Sequence, residues 1–275
     1  MGTQQLSVGG LIREWRMRRR LSQLDLAADA EISQRHLSFV ESGRAMPSRE
    51  MVLHLAEQLE VPLRQRNQLL LAAGYAPTFS ESTLDDPLLA PAMAAVEMVL
   101  KGHEPFPAIA VDRHWNLVAA NAALAPLLED IADASLLAPP ANVLRLSLHP
   151  AGLAPRIANL HDWRRHLLAR LRRQIDASGD PTLTELEREL LSYPGASPTS
   201  RPTHPATAAI AHPLRLMMGR QVLSFISTIT VFGTPIDVTL SELAIESFFP
   251  ADPDTAGLLQ KLAAERDAAA KPLTN

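Results

Sequence analysis

Three serines impose the tightest constraint on this chain. Ser22, Ser33 and Ser48 each precede a short segment with helical apolar spacing. At that place a serine oxygen accepts a backbone N–H that the first helical turn leaves unpaired. Asp25, three residues after Ser22, gives a capping-box spacing with Asp in place of the usual Glu or Gln. The stops are as regular. Gly43 ends a segment in which Leu37 and Val40 recur at i, i+3, and Gly74 ends one that Pro62 opens. An earlier helix, about Gly9 to Arg20, carries Leu11, Ile12 and Trp15 on one side, and Met51, Val52, Leu55 and Leu59 mark the inner face of the fourth. Helices this short are marginal in isolation, so residues 9–73 are expected to pack as a five-helix bundle.

The texture then changes. Residues 75–106 read as a connector: a turn-rich stretch, a helix over PLLAPAMAAVEMVLKG and a break at HEPFP. Pro107 to Asp112 and Trp115 to Ala120 are β-prone runs about Arg113-His114, leading to a helix from Asn121. Asp162 to Leu191 is helical around an interruption at Gly179-Asp180-Pro181, and Tyr193 to Pro205 is a loop. Ala208 to Met217, Gln221 to Phe232 and Val238 to Phe249 are spaced as an antiparallel meander, and a helix from Asp254 to Ala270 closes the chain. The expected fold is an all-α five-helix domain followed by an α+β domain with a roughly five-stranded antiparallel sheet. The domains fall at 1–78, a connector at 79–103, 104–250, and a C-terminal helix and tail at 251–275.

A length of 275 residues suits two domains, and 47% hydrophobic residues suffice for two cores. Cysteine is absent, which excludes disulfides, thiol nucleophiles and thiolate metal sites. MGTQQLSVGG has no apolar signal region and no stretch is apolar enough to span a bilayer, so a soluble cytoplasmic protein is expected, with no membrane partner.

Charge separates the two halves. Residues 1–78 carry 10 Arg and 8 acidic residues, net +2, and the remainder 16 basic and 22 acidic residues, net −6. Arg13, Arg16, Arg18, Arg19 and Arg20 stand against the single acid Glu14. A phosphate-bearing partner at this end is one reading, and a solvated helix face is the other.

The helix, turn, helix at Ser22 to Glu41 bears on that choice. With Leu37 and Val40 inward, Gln34, Arg35, Ser38 and Phe39 lie on or beside the opposite face, and Ser33, the N-cap, is a further candidate DNA contact. In a major groove, Arg suits guanine, Gln suits adenine and an apolar ring suits the thymine methyl. Gln23, in the first turn of the preceding helix, stands where a phosphate would dock, and Arg44 follows the second helix. A helical protein-interaction module has the same outline.

The residues Ser22-Gln23-x-x-Leu26-Ala27 and Ile32-Ser33-x-x-x-Leu37-Ser38-x-Val40-Glu41-x-Gly43 resemble the DNA-binding domain of the lambda and Cro repressor superfamily. The resemblance implies double-stranded DNA as partner and a structural pair between Arg16 and Glu41. Glu31 and Arg20 depart from it, since each stands where the family favours glycine. The stretches Val61-Pro62-Leu63-Arg64, Leu69-Leu70-Leu71-Ala72-Ala73-Gly74-Tyr75-Ala76-Pro77, Pro107-Ala108, Val111-Asp112-Arg113-x-Trp115 and Ala119-Ala120-Asn121 further resemble MmyB-like regulators. That resemblance implies a PAS-like C-terminal domain which, in a relative, holds a fatty acid.

A PAS-like sheet and its helices enclose a small-molecule cavity, mostly apolar with a few polar groups. Its candidate walls are Trp115, Trp163, Leu167, Met217, Phe225, Ile229, Leu243 and Phe248, with His166, His212 and Arg215 as candidate polar groups. No cofactor is expected beyond a fatty acid or similar apolar effector. Catalytic signals are poor: no nucleophile elbow, Walker loop or dinucleotide fingerprint occurs, and His161 and His166, five apart, do not share a helix face. The expectation is a ligand-responsive transcription regulator that binds operator DNA as a homodimer and is not an enzyme. The alternatives are a DNA-binding module whose second domain binds a protein, and an enzyme that regulates its own operon.

Overall fold

Each of the three serines caps a helix. In a computed structural model that describes residues 7–195, 213–233 and 237–269, the oxygens of Ser22, Ser33 and Ser48 accept from the amides of Asp25, His36 and Met51. Asp25 returns the bond to the Ser22 amide at 2.9 Å, completing the capping box. The five helices are α1 (Val8–Arg18), α2 (Gln23–Asp29), α3 (Gln34–Glu41), α4 (Arg49–Gln58) and α5 (Leu63–Ala72). Ile12, Leu26, Leu37, Val40, Leu55 and Leu70 are fully buried in their shared core.

Three junctions depart from ordinary backbone. Arg20 and Glu31 adopt φ of 59° and 52°, as does Glu60 at 47°. Glycine enters this left-handed region freely, whereas a β-carbon strains it. Arg19 braces the Glu60 junction, donating from Nε to the Leu59 carbonyl and from Nη2 to the Glu60 carbonyl, both at 2.8 Å.

Gly9 carries a tighter requirement. A β-carbon there would lie 2.2 Å from the Val40 carbonyl oxygen and 2.8 Å from that of Glu41, so α1 reaches the end of α3 only because this residue has no side chain. Gly9→Ala is expected to lower stability by about 1–3 kcal/mol. Gly102→Ala, with nothing within 4 Å, is the near-neutral control in the same thermal-unfolding comparison.

By its contacts the chain divides into two units. The described residues of Met1–Ser82, Gln174–Gly179 and Thr234–Ser241 form one, and those of Thr83–Arg173, Asp180–Gly233 and Glu242–Asn275 form the other. In the first, buried Asp237 accepts from the Ser82 and Thr239 amides.

The second unit contains α6 (Ala90–Gly102), β1 (Ala108–Val111), β2 (Leu117–Ala120), α7 (Val143–Leu148), α8 (Leu160–Ser178, whose last residues belong to the first unit), α9 (Pro181–Ser192), β3 (Leu214–Met218) and β4 (Gln221–Val231). After the four-residue α10 (Val238–Ser241) come β5 (Ala244–Pro250) and α11 (Pro253–Ala269). The strands form one antiparallel sheet in the order β2-β1-β5-β4-β3. The fold class is therefore the expected one, an all-α five-helix domain followed by a PAS-like α+β domain.

Some bounds differ from the sequence reading. Val238 to Phe249 is not one strand, because Asp237 caps a helical turn through the Thr239 amide and the strand starts only at Ala244. The segment after Asn121 is a 3₁₀ helix, Ala122–Leu128, with Pro126 inside it and so without that backbone donor. Trp115 belongs to the β1–β2 turn, not to β2. Residues 208–212 of the expected third strand lie outside the described residues.

Strand alternation gives the sheet two distinct faces. Ala108, Ala110 and Ile245 pack with Val96 and Leu100 of α6 on one. Ile109 and Glu246, register partners, lie on the other, with Leu216, Phe225 and Phe248.

Candidate nucleic-acid interface and ligand cavity

The inner face of α3 is fastened by charge as well as by Leu37 and Val40. Arg16 donates from Nε and Nη2 to the two carboxylate oxygens of Glu41 at 2.7 and 2.9 Å, and from Nη1 to the Leu21 carbonyl. The side chains are 11% and 3% exposed, so the fork is nearly dry. Burial pushes the Glu41 carboxyl upward. Hydrogen bonds from Arg16 and Gln23, with the charges of Arg16 and Arg13, outweigh it and hold the group below the usual carboxylate range.

This arrangement changes the reading of Gln23. Its amide donates to Glu41 at 2.8 Å, so one of its N–H groups is engaged inside the unit. Arg18 likewise pairs with Glu14 at 2.6 Å, and Arg19 caps α4. Arg16 and Arg19 of the α1 arginine cluster therefore hold the bundle together.

The opposite side of α3 is open. Ser33, Gln34 and Arg35 are exposed at its N-terminal end, Ser38 and Phe39 are half-buried, and Arg44 is exposed beyond it. The guanidiniums of Arg35 and Arg44 lie 5.3 and 6.0 Å from the Phe39 ring centroid. One aromatic ring thus holds two cations at the rim of the helix. Ser33 already accepts from the His36 amide, which leaves its hydroxyl as a donor.

In the second unit a cavity of about 90 Å³ lies between the sheet and the helices. Trp115, Trp163, Leu167, Phe225 and Phe248 line it. Met217, Ile229 and Leu243 do not. Met217 and Ile229 are 43% and 47% exposed, and Leu243 is buried outside the lining, before β5 begins. His166 stacks on the Trp163 ring with centroids 5.5 Å apart and, like Arg215, is not part of the wall; His212 lies outside the described residues.

The wall's only polar side chains among the described residues were not anticipated: Ser147 and Glu246. Glu246 stands two residues before Phe248, so strand alternation placed it on the face already assigned to Phe248. Ser147 accepts from the Trp163 indole N–H at 3.0 Å. Glu246 accepts from Arg170 Nη1 at 2.9 Å, with the side chains 5% and 14% exposed, and the Arg170 guanidinium lies 4.2 Å from the Trp115 ring centroid. Trp115 itself is at φ 68°, an outlier for so bulky a residue.

Among the described residues no group of three or more His, Asp or Glu side chains is placed to hold a metal ion, and no helix is long and apolar enough to cross a membrane.

Comparison with known families matches both regions. Residues 92–262 match the MmyB-like transcription regulator ligand binding domain, and residues 12–65 match a helix-turn-helix family. No curated protein matches the chain.

Proposed function

Because the chain belongs to the MmyB-like transcription regulators, we propose that it is a one-component regulator that reads operator DNA as a homodimer and answers to a small apolar effector. It works in the cytoplasm, where that DNA is, and has no catalytic role. The observation that carries the DNA-binding half is the contrast between the two sides of α3. Leu37, Val40 and Glu41 fasten one side, while Gln34 and Arg35 stand exposed at the end that a recognition helix directs into the major groove. A single unit makes few base contacts, so specific binding calls for two recognition helices about 34 Å apart, one turn of DNA. The apolar cavity supports the effector half. Its occupant acts through unequal affinity for two dimer geometries, one of which matches the half-site spacing.

Arg35→Ala tests the reading. Binding to a duplex selected from a random pool, followed by fluorescence anisotropy, should weaken by about 1–3 kcal/mol, with base preference relaxed at one position of each half-site. Equal weakening on every sequence would make Arg35 a phosphate contact. A chain that sediments as a monomer at micromolar concentration, with and without DNA, would overturn the dimer.

A further inference from the structure

Among the described residues the cavity wall is apolar except at Ser147 and Glu246. Ser147 is already engaged by the Trp163 indole, whereas Glu246 lines the cavity and the arginine that pairs with it, over the Trp115 ring, lies outside the lining. An occupant therefore meets an acceptor-only group and no exposed cation. Trp115, which lines the cavity and carries that arginine over its ring, is held in a strained backbone region. Such strain persists where surrounding structure enforces it, commonly at binding sites.

Resting on the proposal that this cavity holds the effector, we infer that it selects a compact apolar molecule bearing a neutral hydrogen-bond donor, a hydroxyl above all, and rejects a carboxylate of the same size. Three considerations converge on that class. A hydroxyl donates to Glu246, whose side chain is 5% exposed, and forms a charge-assisted bond. A carboxylate finds no cation in the wall, since Arg170 is paired with Glu246 outside it, and so gives up its hydration uncompensated. A cationic head gains little, because Arg170 already neutralises the site. Size acts in the same direction: about 90 Å³ is well below the roughly 300–1,000 Å³ of pockets for larger ligands, and closer to cavities that accept a single ring or short chain. The inference departs from the fatty acid that the family resemblance implies.

The test compares hexan-1-ol with hexanoate at neutral pH on the full chain, by calorimetry and by tryptophan fluorescence. Trp115 and Trp163 line the cavity, and Trp15, in the other unit, serves as a constant background. The alcohol should bind roughly 10- to 100-fold more tightly than the acid, the range expected of one hydrogen bond to a charged group. Glu246→Gln, which removes the negative charge and keeps the shape, should erase most of that preference. Equal or tighter binding of hexanoate, or no binding of hexan-1-ol, would overturn the inference, and the wild-type pair alone decides it should the variant fail to fold. Dodecanoate and selected duplex DNA complete the design. If dodecanoate binds and shifts DNA affinity while hexan-1-ol does not, the selectivity falls and the regulator reading stands. If no apolar probe binds or alters DNA affinity, the effector reading falls with it.

Discussion

Removal of the Glu41 carboxylate should lower the stability of the helix-turn-helix unit by about 3–5 kcal/mol, the range for breaking one side of a buried ion pair. Glu41→Ala leaves Arg16, whose side chain is 11% exposed, without either of its carboxylate contacts, and leaves the Gln23 amide without its acceptor. The loss comes from the stranded charge more than from the missing bond. Arg16→Met/Glu41→Leu, which replaces the pair by packed apolar side chains, should therefore recover most of it. Urea midpoints of the full chain and of both variants measure this. The pair also sets a pH dependence. Glu41 is held below its ordinary range, so its contribution is fully present above the unfolded carboxyl value of about 4.3 and is lost as pH falls through the lower folded value. The difference in melting temperature between the wild type and Glu41→Gln should then hold from neutral pH down to about 4.3 and shrink as the pH falls further. A difference that does not change with pH would mean that the charge of Glu41 contributes nothing and only its shape matters.

The same residue shows what was legible in the sequence. Local rules sufficed for α2, α3 and α4, because a serine cap and an i, i+3 stripe lie within a few residues of the helix they define. They failed where a distant partner decides. Gly9 reads as an ordinary residue in an opening helical turn, and only the approach of Val40 and Glu41, remote in sequence, gives it a role. Arg20 and Glu31 carry no glycine to announce a left-handed turn, yet the packing of the bundle enforces one at each. The place of Gln23 in the first turn of α2 points to phosphate, and nothing local announces that a carboxylate at the end of α3 also takes its amide.

In the second unit alternation was legible and chemistry was not. Five apolar candidates converge on the cavity because large side chains spaced by strand and helix periods seldom find any other burial. The polar wall was missed for the opposite reason. An acid inside Ala244-Ile245-Glu246-Ser247-Phe248 reads as a solvent-facing position, and the partner that lets it turn inward, Arg170, lies on α8, in a run of arginines that resembles a solvated face.

Arg170→Met is accordingly expected to have the second large effect, a loss of about 3–5 kcal/mol by the same logic of a stranded buried charge, here the carboxylate of Glu246 at 5% exposure. Loss of packing adds to it, since the guanidinium covers the Trp115 ring at 4.2 Å, and the ring's strained backbone is held by what surrounds it. Arg170→Met/Glu246→Leu removes both charges and should recover stability in urea unfolding while making the cavity wall wholly apolar but for Ser147. Its ligand preference then separates two roles for the pair. If the double variant is stable and binds hexane as tightly as hexan-1-ol, Glu246 supplied the selectivity. If it is stable and still prefers the alcohol, Ser147 supplies it, and the buried pair serves only to hold the hairpin turn against α8.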